Sequence, residues 1–363
     1  NFQHLDAPLF VMHSRLTNAT RRTIWYNILG ETKPSIVIGP RSALFAPVKN
    51  IGLIIMDEAH DDAYKSDSSP HYRTDRVAAY LAHLHGAIFV AGTATPNVED
   101  LYVFRSKDRG IIPLTTLAAG EKRDTQTTII DLKDQAVYGR SRIITTPLIQ
   151  TIEAALAHKE QILLFLNRRG TASAILCSAC GWRALCQHCD LPLVYHGDSH
   201  SLRCHTCGRT SQLMNACPEC GTTEIVLKTI GTKALVDEVQ RLFPAARIQR
   251  FDADVEKSDQ LESHLTRIQE GAVDIIIGTQ MITKGLDLPN LSVVGIINAD
   301  AGLMLPDFSA SERSYQLIAQ VVGRVGRGHR AGHVILQTYQ PNHPVLAQAL
   351  AQNYADFYET EIN

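Results

Sequence analysis

The distribution of cysteine constrains this chain more than any other feature of its sequence. All eight cysteines lie between Cys177 and Cys220, and they form four Cys-x-x-Cys pairs. Four thiolates from two such pairs make a closed tetrahedral site for Zn²⁺, so eight cysteines suffice for two ions. In chain order the pairs are Cys177/Cys180, Cys186/Cys189, Cys204/Cys207 and Cys217/Cys220.

The spacing of the pairs predicts which of them share an ion. Only five residues separate Cys180 from Cys186, which leaves little room to join the first two pairs. The 14 residues between Cys189 and Cys204 suit a ribbon-like hairpin. We therefore predict a nested arrangement, with the second and third pairs on one Zn²⁺ and the first and fourth pairs on the other. Both ions should be structural, because no ligand position is left for water.

Alternatives to zinc remain open for the cysteine block. The cysteines could be unligated structural residues, or they could hold an iron–sulfur cluster, because tetrathiolate sites also suit iron.

Trp182 and Tyr195 could stack on nucleic-acid bases, although aromatic residues in so small a subdomain more often form its packing. Clustered cysteines in a chain without a signal segment favour a reducing compartment. Four nearby histidines are interpreted as surface residues rather than ligands: His188, His196, His200 and His205.

Outside the cysteine block, short apolar strands alternate with helical segments, which predicts an α/β fold with two parallel-sheet lobes. The net charge of −2 argues against a broad basic surface but does not exclude a basic channel. No run of about 18 apolar residues occurs, so no membrane span is expected. The predicted divisions are a first lobe at 1–105, a linker at 106–142, the start of a second lobe at 143–170, the cysteine insertion at 171–227 and the rest of the second lobe at 228–363.

Two carboxylates follow an apolar segment near the start of the chain. Residues 51–56 predict a strand buried on both faces of a parallel sheet, and Asp57 and Glu58 come directly after it. In open α/β sheets, chemistry gathers at the carboxyl ends of the strands. An Asp there can hold Mg²⁺ through water, and the next Glu can orient or deprotonate an attacking water. The alternative is an acidic turn that caps the following helix.

A second motif lies at 320–327, where Gln320, Arg324 and Arg327 are interleaved with small residues. Two arginines three positions apart can clamp the phosphates of a nucleotide. The alternative is a basic surface turn. The presence of Asp57 and Glu58 in the same chain favours the nucleotide interpretation.

Three turns that follow predicted strands, at 39–42, 92–95 and 278–287, are weaker candidates for functional sites. Any one of them alone is more typical of an ordinary turn. Their hydroxyl, cationic and backbone N–H groups could contact nucleic-acid phosphates. The turn at 92–95 could also relay hydrogen bonds between the Asp57 site and a bound strand. The DNA-contact candidates are Arg41, Ser42, Thr95, Thr279 and Lys284. Gly285 and Asp287 are candidates for contact with a nucleotide.

The order of these motifs resembles that of the superfamily 2 helicases of the DEAH-box type. The cysteine insertion directly after residues 165–170 narrows the resemblance to the primosomal replication-restart helicases, over nearly the whole chain. The motifs that carry the resemblance are Asp57-Glu58-x-His60, Thr93-Ala94-Thr95, Gly278-Thr279-Gln280-Met281-x-x-Lys284-Gly285 and Gln320-x-x-Gly323-Arg324-x-Gly326-Arg327.

The resemblance implies two RecA-like lobes and ATP with Mg²⁺ as the cofactor. It assigns Mg²⁺ binding and water activation to Asp57 and Glu58. It also assigns contact with the γ-phosphate to Arg324 and Arg327. The further residues that it assigns to the ATP site are His60, Gly285, Asp287 and Gln320.

The resemblance also implies an ATP-dependent DNA helicase that assembles the primosome at stalled forks. Its implied partners are forked or single-stranded DNA, other primosome proteins and single-strand-binding protein, without a membrane. The implied location is the bacterial cytoplasm, in association with the nucleoid. Two other functions remain as alternatives: a non-catalytic zinc-ribbon module that binds DNA or protein partners, and a translocase that does not separate strands.

The sequence departs from the family pattern in several places. Val322 and Val325 stand where the family usually has alanine, and Ser309 stands where it usually has arginine. No Gly-x-x-x-x-Gly-Lys-Ser/Thr phosphate loop occurs in the chain. By resemblance we expect that loop, and a DNA-binding part, upstream of Asn1, and a further domain after the last residue. We therefore expect a fragment with a truncated first lobe that is inactive alone.

Overall fold

The structure is a computed structural model. It describes residues 6–114, 125–167, 175–197, 199–226, 230–251, 266–280, 288–326 and 331–363. The chain divides into two compact units, residues 1–109 and residues 110–363.

The described residues of unit 1 form two pairs of parallel strands and three α-helices. Strand β1 (Leu9–Val11) pairs with β2 (Ile36–Ile38), and β3 (Leu53–Met56) pairs with β4 (Ile88–Ala91). Because parallel neighbours need a crossover connection, helices lie between them in the chain. The helices are α1 (Asn18–Gly30), α2 (Thr74–His85) and α3 (Val98–Ser106).

Strand β3 occurs as predicted, but the prediction that both of its faces are buried is wrong for this chain. The side chains of Leu53 and Ile55 are 54% and 66% exposed, whereas Met56 is buried. The physical reason is that, within the described residues, β3 is hydrogen bonded only to β4, and α2 packs against this strand pair. The apolar run therefore predicted the strand correctly, but it did not predict that one face of the strand is exposed.

Unit 2 is built on a parallel sheet, of which six strands are described, and this confirms the predicted α/β fold. The order across the sheet is β12-β13-β6-β14-β15-β5, with β6 and β14 at the centre. The strands are β5 (Thr125–Asp131), β6 (Gln161–Leu166), β12 (Ile248–Phe251), β13 (Ile275–Gly278), β14 (Leu291–Ile297) and β15 (Gly332–Thr338). Strand β5 comes from the segment interpreted as a linker that carries one strand at 127–132, and it pairs with β15 in this sheet.

Helices cover both faces of this sheet. On one face, α4 (Thr146–Ala157) and α5 (Thr232–Leu242) bury their apolar stripes against alternate residues of the central strands. The other described helices contribute a separate aromatic contact, in which Tyr315 and Phe357 stack with ring centroids 4.2 Å apart. These helices are α6 (Asp300–Leu303), α7 (Ala310–Val322), α8 (Pro344–Leu350) and α9 (Tyr354–Ile362).

The cysteine insertion interrupts unit 2 between β6 and α5. A two-stranded ladder, β7 (Leu176–Cys177) with β11 (Ile225–Val226), closes its base. Beyond this ladder lies an antiparallel sheet of β8 (Val194–His196), β9 (Ser201–Arg203) and β10 (Thr210–Gln212). Trp182 and Tyr195 pack against the small core of this subdomain, in agreement with the packing interpretation. So small a core gives limited stability without a staple, such as a metal.

The bulk of Val325 is accommodated by Gly332, the first residue of β15. Val325 is buried, and a Cβ atom placed on Gly332 at the start of β15 would lie 2.1 Å from its Cγ1 atom. The valine therefore occupies the space that any larger residue at position 332 would need. This pairing explains how the second unit tolerates valine where the resemblance predicts alanine.

The variant Gly332→Ala is expected to lower the free energy of unfolding by about 1–3 kcal/mol, because Val325 has no flexible end that can move away. The same substitution should cost less in a Val325→Ala background, where the space is free. Chemical denaturation of the wild type, the two single variants and the double variant measures this coupling. Equal costs of Gly332→Ala in both backgrounds would disprove the contact.

Candidate metal centres and strand-end sites

All four cysteine pairs adopt the same turn. In each pair the N–H of the residue four positions after the first cysteine donates to that cysteine's carbonyl, at 2.8–3.0 Å. The N–H of the first cysteine in turn donates to the carbonyl five positions further on, at 2.7–2.8 Å. The residue four positions after the first cysteine has a positive φ in every pair, which suits glycine and is tolerated by aspartate. These residues are Gly181, Asp190, Gly208 and Gly221.

The turns bring the cysteines into two groups of four, in the nested arrangement predicted from their spacing. In each group the four Sγ atoms lie within 4.8 Å of one another. We call Cys177, Cys180, Cys217 and Cys220 the inner group, because it is next to the base of the insertion. The outer group is Cys186, Cys189, Cys204 and Cys207.

The distances between sulfur atoms fit a single tetrahedral ion. The Sγ atoms of Cys177 and Cys220 are 3.7 Å apart, and those of Cys180 and Cys217 are 3.6 Å apart. A tetrahedral Zn²⁺ with Zn–S bonds of about 2.3 Å requires about 3.8 Å between sulfurs. A multinuclear iron–sulfur cluster would need its ligands further apart, because several irons and sulfides lie between them. The two groups therefore fit zinc binding, one ion each.

Backbone N–H groups favour the thiolate form of one cysteine in each group. The N–H of Cys207 is the main cause that lowers the pKa of Cys204 to about 6. Burial opposes the same effect at Cys217, but the N–H of Cys220 helps to lower its pKa to about 7. Because thiolates are the metal ligands, these bonds reduce the cost of deprotonation on metal binding.

The first cysteine pair lies directly against the carboxyl edge of the sheet in unit 2. A Cβ atom on Gly181 would lie 2.8 Å from the carbonyl oxygen of Tyr339, the residue after β15. Burial lowers the pKa of nearby Arg183, and the charge of Asp300 opposes that shift. The fully buried Asp300 accepts hydrogen bonds from Thr338 Oγ1 at 2.8 Å and from the N–H of Tyr339 at 2.9 Å. The inner group is thus fixed to the lobe by packing and by buried charge.

In unit 1, Asp57 and Glu58 lie at the end of β3, and both are exposed. The N–H of Glu58 donates to Asp57 Oδ1 at 3.0 Å, and Glu58 has a φ of 45°. A positive φ at glutamate costs about 1–2 kcal/mol, so the surrounding contacts must hold this turn. One such contact is the Tyr64 hydroxyl, which donates to the carbonyl of Asp57 at 2.8 Å. The turn leaves both carboxylates facing solvent, where Mg²⁺ and water can reach them.

His60 connects this turn to the turn after β4. Its side chain is only 7% exposed, and its Nδ1 atom lies 2.7 Å from Thr93 Oγ1 and 3.5 Å from Glu58 Oε2. Thr93 Oγ1 also accepts the N–H of Thr95 at 3.1 Å. The structure therefore brings His60, Thr93 and Thr95 together in one hydrogen-bonded arrangement, with the Glu58 carboxylate beside His60.

The DNA-contact candidates lie in different settings. Arg41 Nη1 donates to the carbonyls of Ala63 and Lys65 at 3.0 and 2.5 Å, so this arginine holds the loop after His60. Ser42 is exposed and Thr95 is buried. Thr279 directly follows β13, next to the central strands, and its N–H donates to the carbonyl of Phe251 at 3.3 Å. Lys284 lies outside the described residues, as do Gly285, Asp287 and Arg327.

Gln320 and Arg324 lie at the end of α7 and in the turn that follows it. The N–H of Arg324 donates to the carbonyl of Val321 at 3.2 Å, and the turn ends at Gly326 with a φ of 77°. Val322 and Val325 are buried on either side of Arg324. The two valines anchor the turn in the core of unit 2.

Comparisons with known proteins match these features. The profile of the helicase conserved C-terminal domain matches residues 212–332, and that of the PriA DNA helicase Cys-rich region (CRR) domain matches residues 186–211. The replication restart protein PriA of Haemophilus influenzae is 39% identical over 353 residues, which cover 97% of this chain and 48% of that protein. The PriA protein of Bacillus subtilis is 36% identical over 355 residues, which cover 97% of this chain and 44% of that protein.

The chain belongs to the PriA family. It spans about half the length of the curated PriA relatives that it matches, for example 52% of the protein from Treponema pallidum. This membership confirms the resemblance predicted from the strand-end motifs and the cysteine insertion. It also accounts for the Cys-rich region within a helicase domain.

Solved structures share the fold of this PriA-family chain at low identity. RecG bound to a three-way DNA junction has a TM-score of 0.52 and 12% identity, and the match covers 99% of this chain and 36% of that one. The DUF1998 helicase MrfA bound to DNA and AMPPNP has a TM-score of 0.50 and 12% identity, and the match covers 98% of this chain and 40% of that one. At this identity the likeness shows the RecA-like fold alone. In the described part of the chain, every helix is too short or too polar to cross a bilayer.

Several residues that shape these sites in the PriA-family chain belong to no recognisable sequence motif. Tyr64 was not a candidate, although its hydroxyl supports the Asp57–Glu58 turn. A glycine directly after three of the four cysteine pairs was an available signal for the shared turn. The buried Asp300 carried no local signal, because its hydrogen-bond partners are about 40 residues away in sequence.

Proposed function

We propose that the full protein containing this chain is an ATP-dependent DNA helicase of replication restart, which acts at stalled forks. The observation that carries this proposal is the match to proteins named replication restart protein PriA along 97% of the chain. The ordered strand-end motifs and the nested groups of four cysteines support it independently. Forked or single-stranded DNA is the proposed substrate, and other primosome proteins and single-strand-binding protein are the proposed partners.

In this proposal the strand-end residues of unit 1 act in ATP hydrolysis. Asp57 would hold Mg²⁺, and Glu58 would orient or deprotonate the attacking water. The exposed position of both carboxylates and the His60–Thr93 contact support these roles. ATP supplies the free energy for movement along DNA when it is bound and hydrolysed.

Residues of unit 2 are assigned roles at the phosphates in the same reaction. Arg324 and Arg327 stabilise the charge that develops on the γ-phosphate, as arginine side chains do in related motors. Gln320, Gly285 and Asp287 contact the nucleotide. The buried valines on either side of Arg324 support a fixed backbone for this arginine.

The inner and outer cysteine groups each hold one structural Zn²⁺ in this proposal. The nearly tetrahedral sulfur distances support zinc, and four thiolates leave no position for a reacting water. The ions staple a subdomain whose own core is small. The insertion then acts as a binding surface for DNA or for primosome proteins.

The test is ATP turnover by the full-length protein with and without DNA. Forked and single-stranded DNA should stimulate turnover by at least about 10-fold over the protein alone, because strand binding completes the catalytic arrangement. Blunt duplex DNA of the same length is the matched control and should stimulate less. Absence of ATP turnover with every DNA would favour the non-catalytic zinc-ribbon module instead.

A further inference from the structure

The bend between α8 and α9 contacts the end of α7, next to the turn that carries Arg324. The side-chain amide of Gln352, which lies in this bend, donates to the carbonyl of Ala319 at 3.2 Å. The same carbonyl accepts the N–H of Gly323 at 2.9 Å, in a hydrogen bond that ends α7. Gln352 therefore supplies a second donor at the point where the chain leaves α7 and enters the turn.

Glycine at position 323 makes this close approach possible. A Cβ atom on Gly323 would lie 2.9 Å from Nε2 of Gln352 and 3.2 Å from the carbonyl oxygen of Ala319. A larger residue would force the amide to move away from the carbonyl. The glycine of the arginine motif and a glutamine from a distant part of the sequence thus fit each other.

Hydrogen bonds fix the backbone of Gln352 in a conformation that glutamine rarely adopts. Its φ of 53° lies in the left-handed region, which is unfavourable for most residues that have a Cβ atom. The N–H of Gln352 donates to the carbonyl of Ala349 at 3.1 Å, and the N–H of Asn353 donates to that of Gln348 at 2.9 Å. The side chain of Gln352 therefore starts from a defined position in the bend.

Aromatic packing holds α9 against α7 on the other side of the bend. The ring of Tyr315 in α7 stacks on that of Phe357 with centroids 4.2 Å apart, and both residues are fully buried. The ring of Tyr354 meets Tyr315 edge-on, with centroids 5.8 Å apart. The contact between Gln352 and Ala319 therefore belongs to a packed interface between α7 and α9.

We propose that Gln352 is a positioning residue for Arg324. By tying the last turn of α7 to the bend, it limits the directions in which the side chain of Arg324 can leave the backbone. This inference rests on the proposed function, in which Arg324 stabilises the charge that develops on the γ-phosphate. Displacement of such a group lowers the rate of the chemical step more than it weakens substrate binding.

The experiment compares variants of Gln352 in the full-length protein by hydrogen–deuterium exchange, without ATP or DNA. Gln352→Met keeps the length of the side chain but removes the donor, so exchange in peptides spanning 320–326 should become at least about 3-fold faster. Gln352→Lys restores a donor of sufficient reach and should exchange like the wild type. The matched control is Thr360→Ala, which removes a hydroxyl that accepts the Gln348 amide at 3.1 Å between α8 and α9, and it should also exchange like the wild type.

ATP turnover by the same proteins separates positioning from a purely structural role. Gln352→Met should lower the kcat of DNA-stimulated turnover by about 3- to 10-fold and leave the KM for ATP within about twofold of the wild type. Gln352→Lys and Thr360→Ala should match the wild type in both constants. Gln352→Asn tests the same bond if the methionine variant fails to fold, because asparagine tolerates the left-handed backbone but is too short to reach Ala319.

Two results would overturn the proposal: wild-type exchange in both Gln352→Met and Gln352→Asn, or faster exchange at 320–326 with an unchanged kcat. The exchange measurement does not depend on ATP hydrolysis. Absence of turnover in the wild type would therefore overturn the proposed function, and with it the catalytic role of Gln352, whereas faster exchange in the variants would still show that Gln352 holds the turn.

Discussion

Replacing Glu58 by glutamine in the full-length protein is expected to lower DNA-stimulated ATP turnover by about 100-fold or more. Glutamine keeps the size and hydrogen-bonding reach of the side chain but cannot accept a proton from the attacking water, and general-base catalysis contributes about 10²–10⁴-fold. ATP binding should be preserved, because the proposed role of Glu58 lies in the chemical step. Steady-state turnover and equilibrium binding of a fluorescent ATP analogue measure the two effects separately.

The matched control for this variant is Glu31→Gln in the same unit. Glu31 is a carboxylate that accepts the neighbouring N–H groups of Thr32 and Lys33, away from the strand-end turns. Turnover of the control should equal that of the wild type. A Glu58→Gln protein that hydrolyses ATP at the wild-type rate would remove Glu58 from catalysis.

The second large effect is a loss of zinc when a cysteine of either group is replaced by serine. Cys217→Ser in the inner group and Cys204→Ser in the outer group should each reduce the zinc content from two ions to one. Structural Zn²⁺ contributes about 10–16 kcal/mol of binding free energy to small zinc-binding folds, and three thiolates cannot close the site. Loss of the inner ion should also loosen the insertion from the lobe, because Gly181 and Arg183 dock beside that group.

Metal analysis combined with limited proteolysis measures both parts of this prediction. In each variant the insertion should become sensitive to protease while the central parallel sheet, which has its own core, stays resistant. Thr206→Ala changes an exposed residue inside the third cysteine pair and should retain both ions. Two zinc ions in both serine variants would show that these cysteines are not ligands.

The central sheet could be predicted from sequence because its strands are buried on both faces. The apolar runs at 161–166 and 291–297 give the bounds of β6 and β14 as the structure has them. The nested pairing of the cysteines followed from spacing alone, because a short connection limits which pairs can meet. In both cases a local feature of the sequence was sufficient for the prediction: a continuous apolar run for the strands, and a short connection between cysteine pairs for the nested pairing.

Other features depended on contacts that no local pattern contains. The apolar spacing of residues 344–360 predicts one helix, but the structure has α8 and α9. The break falls at Gln352, which has a φ of 53°, and the side chain of Asn353 accepts the N–H of Asp356 to begin α9. An asparagine three residues before an aspartate was a usable capping signal. The His60–Thr93 contact, by contrast, joins residues 33 positions apart and required the fold.

Strand separation tests the central claim most directly. Full-length protein is mixed with forked DNA carrying a fluorophore and a quencher on opposite strands, with ATP and Mg²⁺. We predict a rise in fluorescence that requires ATP and is absent with Glu58→Gln. ATP-dependent movement along DNA without any separation of the strands would contradict the helicase assignment and would support the translocase alternative.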